Sequence, residues 1–74
     1  MDTYYSTDDR YMLYPQAIYT LKNGGVLEMW PDKVWVQPKY GMTKLIHSTD
    51  LPRILSHCRE VQRWGNHILY TWKG

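Results

Sequence analysis

From Gln16 to Gln37, short runs of mostly apolar residues are separated by turn-forming residues, the pattern of a β-meander. Residues 16–22 (QAIYTLK), 26–30 (VLEMW) and 34–37 (VWVQ) read as three strands. Asn23-Gly24-Gly25 supplies the first turn, because a tight hairpin needs the positive φ that glycine accepts. Pro31-Asp32-Lys33 supplies the second. Pro38 and Gly41 then interrupt the alternation, and residues 42–47 (MTKLIH) read either as a fourth short strand or as an extended connector.

The period changes after Ser48. Ser48-Thr49-Asp50 offers a helix N-cap and a first-turn acid, and Pro52 is tolerated in a first turn. Leu51, Ile54, Leu55, Cys58 and Val61 then fall on one stripe at helical spacing, with Arg53, Ser56, His57, Glu60 and Arg63 mainly off it. Gly65 stands where a left-handed C-terminal cap is expected, and residues 67–72 (HILYTW) read as a last strand. Residues 1–14 hold neither a strand nor a helical period. They are expected to form an N-terminal arm, either flexible or holding one short helical turn capped by Thr7. The expected fold is therefore α+β, a small antiparallel sheet in the order β-β-β-(β)-α-β packed on one helix, with residues 15–74 as a single domain.

Register decides which side chains are free, since a one-residue slip exchanges the faces of a strand. With Pro31 to Val34 as the loop, Trp30 stands opposite Trp35 and Glu28 opposite Gln37. With Asn23-Gly24-Gly25 as a bulged loop, Leu21 pairs with Leu27 and Tyr19 with Met29. Leu27, Met29, Val34 and Val36 then share an apolar face, the natural bed for the helix. The outer face carries Ile18, Thr20, Lys22, Glu28, Trp30, Trp35 and Gln37.

Composition narrows the function. A 74-residue chain makes one domain and buries only about 60% of its unfolded surface, so large aromatics matter to its core. It has four Trp and seven Tyr but no Phe. The polar tips of Trp and Tyr suit half-buried and interfacial positions. A formal charge of +2 is far from that of a dedicated nucleic-acid or polybasic membrane protein. Cys58 is the only cysteine, so no intramolecular disulfide forms, and a reducing cytoplasm is the expected location. The opening residues are polar and Tyr-rich, unlike a signal peptide, and no apolar run is long enough to span a membrane.

His47, His57 and His67 recur every ten residues, and Cys58 adjoins one of them. No close ligand pair of the C-x-x-C or H-x-x-x-H kind accompanies them, so no metal site and no cofactor is expected. Cys58 lies on the apolar stripe and reads as a core residue rather than a nucleophile, which needs an electropositive, accessible setting. Asp8-Asp9 reads as solvated, and no G-x-S-x-G, P-loop or G-x-G-x-x-G is present. The chain is expected not to be an enzyme.

Binding remains. Lys33, Lys39 and Lys44 lie in or after the second hairpin, interleaved with Trp30, Trp35 and Tyr40. Trp, Tyr and Arg are the usual anchors of protein interfaces, and an outward Trp pair is costly unless something covers it. Trp30, Trp35, Tyr40, Lys33 and Lys39 are therefore the candidate partner-binding residues. Trp64 and Trp72, ending the helix and the last strand, read as core. Lys44, Arg53 and Arg63 are candidate nucleic-acid contacts, because cations among aromatics grip phosphates and stack bases. In general character the chain resembles the small accessory proteins of phages and mobile elements, which often bind a host protein. The expectation is a non-enzymatic protein-binding module, a regulator or inhibitor of a cellular protein, with a DNA- or RNA-binding regulator as the alternative and no role at a membrane.

Overall fold

The computed structural model describes residues 10–74. Eight elements follow one another: β1 (Tyr11–Met12), α1 (Tyr14–Lys22), β2 (Val26–Met29), β3 (Val34–Gln37), β4 (Lys44–Ile46), α2 (Leu51–Leu55), β5 (Cys58–Trp64) and β6 (His67–Trp72). The strands form one sheet in the order β1-β4-β3-β2-β6-β5, in which only the β1–β4 pair is parallel. The fold is α+β, and the described residues hold two helices and six strands rather than one helix on a smaller sheet. Of the expected N-terminal arm, Thr7 and its cap lie outside the described residues. Tyr11 and Met12 belong to the sheet and Tyr14 opens α1.

The first expected strand is a helix. Tyr14, Ala17, Ile18 and Leu21 sit at i, i+3, i+4 and i+7, so one side of a helix gathers them, whereas a strand would split them between two faces. Ala17 and Leu21 are buried, and Tyr14 and Ile18 pack against the same core. Pro15 falls in the first turn, where its missing N–H costs nothing. The Gln16 side chain accepts a hydrogen bond from the Leu13 N–H at 3.3 Å, closing the helix start.

Asn23-Gly24-Gly25 is accordingly a helix ending and not a hairpin. The Gly25 N–H donates to the Thr20 carbonyl at 3.0 Å, and the Gly24 N–H donates to the Leu21 carbonyl at 3.2 Å. These are the two bonds of a Schellman motif. Gly24 holds φ +94, the left-handed geometry that the motif places just past the helix.

The expected long helix is also corrected. Only Leu51–Leu55 is helical, and Cys58–Trp64 is a strand. The Ser56 Oγ donates to the Arg53 carbonyl at 2.7 Å, a local bond that competes with helix continuation. Gly65 and Asn66 then form a two-residue turn between Trp64 and His67, with Gly65 at φ +56. Gly65 is thus a hairpin residue rather than a helix cap. In β5 the ladder skips Val61, so Glu60 pairs with Tyr70 and Gln62 with Leu69 across a β-bulge.

The β2–β3 hairpin forms over the expected residues but two positions out of the expected register. Glu28, not Trp30, lies opposite Trp35, and Val26 lies opposite Gln37. A shift of two leaves the faces unchanged. Leu27 and Val36 are fully buried, and Met29 and Val34 pack against them. Beside β2 runs β6, so Tyr70 and Ile68 occupy the places expected for Leu21 and Tyr19. Ile18, Thr20 and Lys22 leave the outer face with α1. Met12, Ile46, Ile54 and Cys58 complete the core. Among the described residues both helices pack on this one face of the sheet, and no helix lies on the other.

Candidate functional site

The face without helices is built by alternation. Strand residues that pair across the ladder point the same way, so Leu45, Trp35, Glu28 and Leu69 form a row across β4, β3, β2 and β6. All four are half-buried. Trp30 follows Met29 at the mouth of the second turn, where its backbone N–H donates to the Lys33 carbonyl at 2.8 Å. Its ring meets that of Trp35 edge-on, with centroids 6.1 Å apart and planes at 64°. His67 stacks on the other side of this cluster, 3.7 Å from Trp30 and nearly parallel to it. His67 Nε2 lies 3.3 Å from Glu28 Oε1, tying the ring to the middle of the face. Trp64 reaches the same His67 ring at 5.1 Å. It is 49% exposed on the β5–β6 hairpin, so its expected place in the core is corrected. Trp72 is half-buried against the core.

The Trp30 indole carries a buried donor. Its Nε1 is buried and has no hydrogen-bond partner among the described residues. A buried donor without an acceptor costs about 1–3 kcal/mol, and that cost falls on the cluster where the two tryptophans meet.

The candidate residues divide into separate places. Trp30, Trp35 and Lys33 come together, with the Lys33 ammonium 5.3 Å from the centroid of the Trp35 ring. Lys39 and Tyr40 lie past the opposite end of β3, with the Lys39 ammonium 6.0 Å from a Tyr40 ring that is 85% exposed. Lys44 opens β4 opposite Val36, on the helical side of the sheet, and borders grooves on both faces. Arg53 leaves α2 and lies 3.9 Å over the Tyr14 ring, on the helical side of the sheet. Arg63 stands on β5, across the sheet from β4, and is held by Glu60 at 2.8 and 3.0 Å. This fork holds the Glu60 carboxyl below its usual range and raises the Arg63 guanidinium. Lys44, Arg53 and Arg63 therefore do not form one basic surface.

The three histidines each meet an aromatic ring in a different part of the molecule. His47 stacks on Tyr11 at 4.1 Å. His57 stacks on Trp72 at 5.3 Å and faces the Tyr14 hydroxyl at 3.4 Å. His67 belongs to the Trp30 cluster. Among the described residues, no group of three or more His, Cys, Asp and Glu side chains is placed to hold a metal ion. Cys58 is buried in β5, and burial pushes its thiol above the ordinary range, partly offset by the nearby Lys73 charge.

Sequence reasoning missed Leu45, Leu69 and His67 as members of the exposed face. Leu45 was legible, because its neighbours Lys44 and Ile46 must point the other way once β4 is a strand. Leu69 and His67 depended on the pairing of β6 with β2, a long-range choice with no local signal. No helix among the described residues is long and apolar enough to cross a membrane. Compared with known protein families, curated proteins and solved structures, the chain matches none.

Proposed function

We propose that this chain is a non-enzymatic protein-binding module, a regulator or inhibitor of a cellular protein, and that it works through the sheet face left bare by the helices. The observation that carries this reading is the placement of Trp30 and Trp35 with Leu45 and Leu69 on that face. Aromatics in a half-buried apolar field with charges at the rim are the usual make-up of a protein-interface hot spot. A nucleic-acid role has less support. Phosphate binding draws on cations arrayed along one surface, and here Lys44, Arg53 and Arg63 are dispersed, with Arg63 already matched by Glu60.

The test is capture of partners from lysate with and without nuclease, followed by titration of the purified partner. Trp35→Ala should weaken binding by about 2 kcal/mol while the chain stays folded. Nuclease-sensitive capture, together with steeply salt-dependent binding that charge reversal at Lys33, Lys39 and Arg63 abolishes, would establish the nucleic-acid alternative instead.

A further inference from the structure

The bare face does not end evenly. At its β4 side lies a groove of roughly 800 Å³ whose apolar body is Trp35, Leu45 and Met42 and whose cations are Lys33, Lys44 and Arg10. Among the described residues no carboxylate lines it. Met42 is 79% exposed, and Trp35 and Leu45 are half-buried. Among the described residues neither Lys33 nor Lys44 is ion-paired, and Lys33 instead lies over the Trp35 ring. A cation resting on an aromatic face keeps its charge available to an anion that approaches from the groove.

We propose, resting on the protein-binding reading above, that the partner segment for this groove is an acidic peptide in extended form, with an apolar side chain set on Trp35 and Leu45 and its carboxylates against Lys33 and, at the rim, Lys44. Complementarity of charge argues for this occupant, since opposite potentials across an interface steer encounter and fix register. A phosphate backbone fits less well, because it offers no apolar group to Met42 and Leu45 and is best held by a row of cations. Beyond this groove, Lys39 lies past the far end of β3, Arg53 lies on the helical side, and Arg63 is bound by Glu60.

The test uses the full chain and short labelled probes read by fluorescence anisotropy. One peptide carries a central Leu-Phe flanked by Glu and Asp, a second has the same centre flanked by Lys and Arg, and a third is acidic with a Gly-Ser centre. A short oligothymidylate is the polyanion control. The acidic peptide with the apolar centre should bind best, by about tenfold over the others, and added salt should weaken it. Lys33→Glu, an exposed turn position, should reduce that binding by about tenfold with an unchanged melting curve, and Lys44→Glu provides a second variant. Equal or tighter binding of the basic peptide or the oligothymidylate overturns the proposal, as does failure of every probe. Binding that appears only after Asp2, Asp8 and Asp9 are changed to Asn also overturns it, because the groove would then serve the chain's own acidic residues. If the peptides fail but Trp35→Ala still weakens the captured partner, the partner's chemistry is wrong and the sheet-face reading stands. If Trp35→Ala has no effect on that partner, the sheet-face reading itself fails.

Discussion

Gly24 and Gly25 adjoin in sequence yet are needed for different physical reasons. Gly24 holds φ +94, so an alanine there should cost about 1 kcal/mol. Gly25 has no such backbone demand but no room. A Cβ at Gly25 would meet the Thr20 carbonyl oxygen at 2.9 Å and the Gln37 carbonyl oxygen at 3.2 Å. Gly25→Val should therefore cost about 2 kcal/mol or more, a larger drop in thermal melting than Gly24→Ala gives. Cys58 offers a test by pH. Its folded thiol is raised above the unfolded value, so the folded chain keeps the proton longer. The stabilisation this linkage provides is intact below about pH 9 and is lost as the pH climbs through the folded value. Cys58→Ala should lower the melting temperature at neutral pH through lost packing, and the gap to the unsubstituted chain should narrow in melts above pH 9.

The elements show where a local pattern misleads. The strands β2, β3 and β6 were legible as elements because their alternation and the turn residues between β2 and β3 agree, although the hairpin register lies two positions away and the partner of β6 had no local signal. Residues 16–22 were not, because the turn chemistry of Asn23-Gly24-Gly25 suits a helix ending as well as a hairpin. The deciding signal was the spacing of Tyr14, Ala17, Ile18 and Leu21, which begins before Pro15 and is split by an expected domain boundary between residues 14 and 15. Residues 56–64 failed for the opposite reason. Cys58 and Val61 extend a helical stripe by coincidence, but Cys58 is buried in a strand and Val61 is the bulged residue, 49% exposed. Gly65-Asn66 is the hairpin signal that outweighs the stripe. Gly65→Val should destabilise by about 1 kcal/mol or more, because a β-branched residue fits φ +56 poorly. Hydrogen exchange should show that loss concentrated in β5 and β6.

Across the whole molecule, the two faces of the sheet predict two classes of substitution. Leu27 is fully buried in the core on the helical side, and Leu27→Ala should cost about 2–5 kcal/mol, read as a large fall in denaturant midpoint. Trp35 lies on the bare face, and Trp35→Ala should cost less than Leu27→Ala in the same titration despite removing more atoms. This division of faces was legible in the sequence, since Leu27, Met29, Val34 and Val36 share a side in either register. The candidate site was legible only in its centre, Trp30, Trp35 and Lys33. Tyr40 and Lys39 are close to these in sequence but lie beyond the far end of a four-residue strand. The order of strands in the sheet was not legible, because β1 joins β4 and β6 joins β2 through contacts far apart along the chain.

The bulge at Val61 has a consequence for the company this protein keeps with itself. β5 is seven residues long and, among the described residues, forms one border of the sheet, with outward backbone groups that no described strand pairs. A straight border of that length is a template for end-to-end stacking of copies into filaments. Here the extra residue bends the border, while Arg59, Glu60 and Arg63 line it with charge. Deleting Val61 would make the Glu60–Tyr70 and Gln62–Leu69 pairs consecutive without turning any side chain to the other face. The shortened chain should keep its fold and its β-sheet circular dichroism. It should also scatter light and bind thioflavin at concentrations where the unshortened chain stays clear, and unchanged clarity on prolonged incubation would show that the bulge has no such protective role.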